Sequence, residues 1–290
     1  MTMTNRFERA EHLRSDPAAL RAGWTSAKVL RFGVPDAAIV NQGSLQLEDA
    51  VVVGAQPPEE AVFLGLWNGE HTWAYRAAKA RMGDEALRML RLLGAELESD
   101  ARALLFTALA LLNWHDASAF SSFDGTPMQR SRGGWTRVHA NGREEFPRTD
   151  PAVICLVHDG ADRALLARRT GISGPRYALL AGFVEAGESA EECVAREIRE
   201  EVGIDVSDIQ YFGSQPWPFP RSLMLGFTAV GDPQQELEYR DGEIAEARWF
   251  TRDDVRRARE LGDWTSAQTD VPLLLPGGLS IARKIIDHWL

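Results

Sequence analysis

Residues Gly182 to Ile204 read GFVEAGESAEECVAREIREEVGI, and this segment constrains the chain more than any other. Gly182, Ala186 and Gly187 spell a loop that can turn sharply. Ser189 stands where a helix is capped, and Glu192 follows three residues on, the capping-box spacing. Gly203 supplies the stop. Between them Val194, Ile198 and Val202 recur at i, i+4 and i+8 and predict a buried helix face. Glu197, Glu200 and Glu201 lie at i, i+3 and i+4 and predict a face of three like charges. Such a face repels itself unless a cation joins it. Carboxylate oxygens favour hard ions such as Mg²⁺, Mn²⁺ or Ca²⁺. Arg196 precedes Glu200 by four residues and can pair with it. A short REIREE run by itself is ordinarily a solvated charged face; the spacing of the whole segment argues for more.

That spacing is Gly182, five residues, Glu188, seven residues, Arg196-Glu197-Ile198, one residue, Glu200-Glu201, one residue, Gly203-Ile204. It resembles the Nudix box without departure. The resemblance implies an α/β/α sandwich and hydrolysis of a nucleoside diphosphate linked to another moiety, with Mg²⁺ or Mn²⁺. It implies that Glu197 and Glu201 are the main metal ligands and Glu200 a further one. Gly182, Glu188, Arg196 and Gly203 then hold the box together.

A second segment, Ser214 to Met224, reads SQPWPFPRSLM. Three prolines in eleven residues exclude a regular helix or a central strand. Read alone it is a rigid loop anchored by Trp217 and Phe219. It resembles the SQPWPFPxS signature of the NADH pyrophosphatase branch of the Nudix family. Asn113-Trp114-His115, Phe146-Pro147-Arg148, Glu243-Ile244-Ala245-Glu246-Ala247 and Ser280-Ile281-Ala282-Arg283 resemble the same branch, so the likeness runs from about residue 105 to the C-terminus. It implies a dinucleotide site with Phe183 and Phe146 stacking on bases, lined by Gln215, Trp217, Ser222 and Met224, partly from a second subunit. It implies a metal ligand at Glu243 and a backbone contact to the nucleotide at Ala282. The expected reaction is NAD(H) plus water giving NMN(H) and AMP, with removal of NAD caps from RNA 5′ ends as a related activity. Glu201 or Glu200 is the expected proton acceptor. The alternatives are a Nudix hydrolase of ADP-ribose or a dinucleoside polyphosphate, and a non-catalytic NAD or ADP-ribose sensor. The intact box argues against the sensor, and SQPWPFP against the other substrates.

One departure is plain. The branch resemblance implies four zinc-binding cysteines between Asn113 and Phe146. Here Ser121 and Asp124 stand at the first pair, and His139 with Asn141 or Gly142 at the second. Structural zinc sites take thiolate or imidazole ligands, usually four, so no zinc is expected. Trp135, Val138 and Phe146, with turns at Gly133-Gly134 and Asn141-Gly142, predict a β-hairpin held by packing. The two cysteines, Cys155 in an apolar strand and Cys193 on the box helix, make no disulfide framework. Both read as packing residues in a reducing, cytoplasmic setting.

The 290 residues suggest about two domains, and a net charge of −10 gives no general nucleic-acid footprint. The first twenty residues lack the apolar core of a signal peptide. The ten-residue run Ala103–Leu112 is about half a membrane span. The expected architecture is α+β or α/β. It comprises a mixed α/β domain over 1–100, a linking helix and zinc-less β subdomain over 101–147, and the Nudix sandwich over 148–290. Strands are expected at Lys28–Phe32, Ala38–Val40, Ala50–Val53 and Ala61–Leu66, and a helix over Asp84–Leu93. In the last domain strands are expected at 152–157, 163–169, 177–181, 209–214, 223–230 and 247–250. Helices follow at 252–261 and 280–289. His71, beside Trp73, reads as structural. A homodimer sharing the dinucleotide site between subunits is the expected assembly.

Overall fold

Alternate residues of one strand face two different cores, and this organises the second half of the molecule. In the computed structural model, which describes residues 6–33, 39–76, 94–240, 242–266 and 270–290, the strand β11 spans Asp150–His158. Its Val153, Cys155 and Val157 pack with Val194, Ile198 and Val202 of the box helix. Its Ile154 and Leu156 pack with Val255, Ile281, Ile285 and Ile286. A strand buried on both faces reads as a continuous apolar run, which is why Ala152–Val157 shows no alternation. The sheet order is β14-β15-β11-β12-β16, with β13 also paired to β11. The partners are β12 (Arg163–Arg169), β13 (Leu180–Phe183), β14 (Val206–Trp217), β15 (Ser222–Gly231) and β16 (Ile244–Thr251). β11 runs parallel to β15 and antiparallel to β12. Helix α5 (Ala190–Val202) covers one face; α6 (Arg252–Leu261) and α7 (Ile281–Trp289) cover the other. The result is the α/β/α sandwich.

By compactness the chain divides into residues 1–149 with 217–221, and residues 150–216 with 222–290. The first unit thus takes in both the 1–100 and 101–147 regions. Its main sheet has the order β1-β6-β7-β2-β5, formed by Phe7–Glu8 (β1), Lys28–Phe32 (β2), Glu48–Asp49 (β5), Val62–Trp67 (β6) and Glu70–Arg76 (β7). A two-stranded ribbon, Val40–Asn41 (β3) with Ser44–Leu45 (β4), lies apart from it. Trp24, Phe63 and Trp73 form an edge-to-face aromatic core, and His71 lies against Phe63 at 5.2 Å. The short helices α1 (Glu11–Arg14) and α2 (Pro17–Trp24) precede β2, and the long helix α4 (Ser99–Ala117) is buried from Leu104 to Leu109.

Several expectations need correction. Ala50–Val53 is one helical turn, α3, and not a strand. Only Ala50 is buried; Val51 and Val52 are exposed, and Gly54 ends the turn before the segment can reach a partner. The expected hairpin is a three-stranded meander, β8 (Gln129–Ser131), β9 (Thr136–Val138) and β10 (Glu144–Glu145). Its turns fall at Gly133-Gly134 and at Gly142, all at positive φ. Trp135 anchors it by donating Nε1–H to the Phe63 carbonyl at 2.7 Å. Phe146 does not join that packing and is exposed. The strand expected at 177–181 begins at Leu180 and continues to Phe183, because pairing with Ala152–Cys155 fixes its limits. The proline-rich segment is partly regular: β14 runs through Pro216, which an edge strand tolerates. The helix expected over Asp84–Leu93 and residue Ala38 lie outside the described residues.

Candidate active site

The box loop is built by one arginine. Arg196 donates from Nε and Nη2 to the two oxygens of Glu188 at 2.7 and 2.8 Å, and from Nη2 to the Phe183 carbonyl at 3.0 Å. Glu188 in turn accepts the Glu185 backbone N–H at 3.0 Å. The Arg196 hydrogen bond, first, holds the Glu188 carboxyl at about 2, well below the usual carboxylate range. The helix that follows has both halves of its capping box, Ser189 with Glu192, and Gly203 closes it in the left-handed conformation. Loop, strand end and helix therefore form one rigid corner.

The acidic face sits on that corner. Glu201 is 2% exposed, an expensive position for a carboxylate outside a polar site. Arg196 Nη1 bonds Glu197 at 2.9 Å and Glu200 at 3.0 Å. Burial, first, raises the Glu197 pKa; repulsion from Glu200 and Glu243 adds to it, against the lowering pull of Arg196. Glu243, just ahead of β16, is thus within electrostatic reach of Glu197 although far from it in sequence. Glu243 is itself ion-paired with Arg169 at the end of β12. The box strand leaves no room behind Glu197: a Cβ at Gly182 would lie 1.8 Å from the Glu197 carboxyl carbon.

The residues expected to bind the dinucleotide fall in three places. Phe183, at the end of β13, is 58% exposed and next to the box corner. Gln215 is buried; its Nε2–H donates to the Leu279 carbonyl at 2.7 Å, and its Oε1 accepts the Ile281 N–H at 2.7 Å. It therefore fixes the start of α7, where Ala282 is buried with its N–H on the Ser280 hydroxyl at 3.2 Å. Met224 packs against the same core, and Ser222 is half-buried. Trp217 and Phe146 belong to the first unit. Trp217 lies edge-to-face on Phe219, which meets Phe106 in the same way.

The NUDIX domain pattern matches residues 148–269. Over 288 residues the chain is 54% identical to the NAD-capped RNA hydrolase NudC of Mycobacterium bovis (strain BCG / Pasteur 1173P2), covering 97% of this chain and 92% of that protein. The identity and coverage are the same for NAD-capped RNA hydrolase NudC of Mycobacterium tuberculosis (strain ATCC 25618 / H37Rv). Over 260 residues it is 40% identical to NAD(P)H pyrophosphatase NUDT13, mitochondrial, of Mus musculus, covering 86% of this chain and 73% of that protein. The chain belongs to the Nudix family. Within it, the chain falls in the NADH pyrophosphatase branch.

A Nudix box works with a divalent cation, and the residues here fit one. Every donor on the face is a carboxylate oxygen, the set that suits Mg²⁺ or Mn²⁺, and Gly182 leaves the Glu197 carboxylate the space a side chain would fill. As they stand, no three His, Cys, Asp or Glu groups among the described residues converge to hold an ion. Guanidinium groups hold the carboxylates instead: Arg196 on Glu197 and Glu200, Arg169 on Glu243. At the positions of the branch's zinc ligands there is a polar network. Ser121 Oγ accepts the N–H groups of Phe123 and Asp124 at 3.1 and 3.3 Å. Buried His139 bonds Glu145 at 3.0 Å, and Arg143 reaches both His139 and Ser121. Asp124 is held at about 2, chiefly by the Thr126 N–H. Both cysteines are buried, and burial pushes the Cys193 thiol up to about 12.

Two features escaped the sequence reading. Asn113 donates to the carbonyls of Pro218 and Pro220 at 3.0 and 3.1 Å, so the Asn-Trp-His motif clamps the tip of the proline-rich loop. Both motifs were visible, but nothing in the spacing pairs them. Glu246, three residues from the metal-ligand candidate Glu243, accepts Tyr177 O–H at 2.6 Å and Arg168 at 3.2 Å and is a structural counter-ion.

Proposed function

We propose that this Nudix hydrolase cleaves the pyrophosphate of NAD(H) to NMN(H) and AMP, and removes NAD caps from RNA 5′ ends. The observation that carries the reading is the complete acidic face on a clamped box corner. It occurs in a chain 54% identical, nearly end to end, to proteins named NAD-capped RNA hydrolases. The SQPWPFPRS segment and its Asn113 clamp support the same substrate class.

Glu197, Glu200, Glu201 and Glu243 would hold the Mg²⁺ or Mn²⁺ ions. Bound there, the ions supply neutralisation of the charge that develops on the phosphoryl oxygens and a lowered pKa for a bound water. The water oxygen bonds one phosphorus as the anhydride P–O bond breaks, and Glu201 or Glu200 takes the proton. Arg196 and Glu188 keep the helix and loop in register. Phe183 offers its ring to a base, a stacking contact of about 1–3 kcal/mol per base. Ser222 and Met224 line the dinucleotide site, with Gln215 setting the α7 start and the Ala282 backbone. We place the active form as a cytoplasmic homodimer without zinc. No helix among the described residues is long and apolar enough to cross a membrane.

The test is product analysis by chromatography after incubation with NADH, NAD⁺ or NAD-capped RNA and Mn²⁺ or Mg²⁺, with an EDTA control. NMNH and AMP appearing only with metal supports the reading. Intact NADH, NAD⁺ and capped RNA under both metals would refute it.

A further inference from the structure

The acidic face meets two arginines, and the structure holds them very differently. Arg196 is tied by both oxygens of Glu188 and by the Phe183 carbonyl, and its side chain is 23% exposed. It can neutralise Glu197 and Glu200 but cannot swing away without opening the box corner. Arg169 is ion-paired with Glu243, and the two side chains are 56% and 55% exposed. Among the described residues it has no clamp like that on Arg196. Only its backbone neighbourhood is fixed: the Thr170 N–H donates to the Glu243 carbonyl at 2.7 Å, and the Thr170 hydroxyl to the Gly242 carbonyl at 2.7 Å. These bonds keep the end of β12 against the start of β16 while leaving the Arg169 side chain able to turn.

We propose that Arg169 is the place-holding cation of the metal site: its guanidinium keeps Glu243 charge-balanced until a divalent ion takes that carboxylate, and then turns to the diphosphate of the substrate. The inference rests on the function proposed above. A guanidinium and a metal ion compete for the same carboxylate oxygens, and once the ion is bound the two cations repel. Of the two arginines, only Arg169 can yield. The group it yields to lies where a negatively charged diphosphate must arrive. A planar guanidinium with paired N–H donors suits phosphate oxygens. Arg169 is thus a positioning residue for Glu243 before loading and a substrate contact after it.

The test uses full-length protein carrying R169Q, with R169K as the charge-retaining control and thermal unfolding to confirm folding. Mn²⁺ binding to substrate-free protein is measured by electron paramagnetic resonance. R169Q should bind Mn²⁺ about two- to fivefold more tightly, the range expected on removing an exposed competing ion pair, and R169K should return toward wild type. In turnover, R169Q should raise KM for NADH by about tenfold while kcat falls less, a loss in line with one charge-assisted phosphate contact. Both readouts must move. Unchanged or weaker Mn²⁺ binding, or an unchanged KM, overturns the proposal. The Mn²⁺ measurement needs no substrate, so wild-type protein that fails to cleave NADH would refute the functional reading without being mistaken for failure of this one.

Discussion

Gly182→Ala should disable the enzyme while leaving the fold nearly intact. Gly182 pairs with Val153 in the β11–β13 ladder and has no positive φ, so alanine meets no backbone strain there. The added Cβ would stand 1.8 Å from the Glu197 carboxyl carbon and 1.9 and 2.2 Å from its oxygens. Non-bonded heavy atoms sit at about 3.5–4.0 Å. The carboxylate must therefore retreat by roughly 1.5–2 Å. It is the far end of a flexible side chain, so the retreat costs the fold little. A metal ligand tolerates only about 0.2 Å, and a misplacement of about 1 Å near the chemistry costs on the order of 10²-fold. The expected result is a loss in kcat/KM for NADH of at least about 100-fold, with Tm within a few degrees of wild type. Steady-state kinetics with Mn²⁺ and a thermal melt on the same preparation give both numbers. A Gly182→Ala enzyme with more than half the wild-type kcat/KM would refute the assignment of Glu197 to the reacting centre.

Glu201→Gln should lower kcat by about 10²–10⁴-fold, the usual range for losing a positioned proton acceptor; single-turnover kinetics showing near-wild-type rates would remove Glu201 from that role. Glu188→Gln should reduce stability in a pH-dependent way. Arg196 depresses the folded-state pKa of Glu188 from its ordinary 4.5 to about 2. The ionised form therefore stabilises the fold fully above about pH 4.5, and that contribution fades as pH falls through about 2. Urea unfolding should show the wild-type advantage at pH 7 shrinking by pH 3, and an advantage that grows on acidification would contradict the assignment. EDTA should abolish turnover and added Mn²⁺ restore it, while Tm of the first unit stays unchanged; a chelator-induced drop in that Tm, or stoichiometric zinc by elemental analysis, would overturn the expectation that the region from Ser121 to His139 holds no zinc.

The active corner was legible in the sequence because its contacts are local. A helix repeats every 3.6 residues, so i, i+3 and i+4 spacing alone places Glu197, Glu200 and Glu201 together. The Ser189–Glu192 box and Gly203 mark both ends of that helix within a single turn of each terminus. The Nudix fold was expected from the resemblance of the box, and Ala152–Val157 reads as a buried strand from its continuous apolar run. The one-turn helix at Ala50–Val53 was misread because four apolar residues carry no usable period, and only the nearness of Gly54 and the lack of a sheet partner decided it.

Local spacing is therefore enough for the box helix, its capped ends and the identity of the carboxylates on its face. Which distant groups come together is settled by the folded chain alone. Arg169 and Glu243 are 74 positions apart, Gln215 and Leu279 are 64, and Asn113 and Pro218 are 105. Strand order and register bring Arg169 to Glu243, and a shift of one residue in the β12–β16 pairing would turn alternate side chains to the opposite face. Local spacing contains no information about that register, because it is set by the packing of two cores on either side of one sheet.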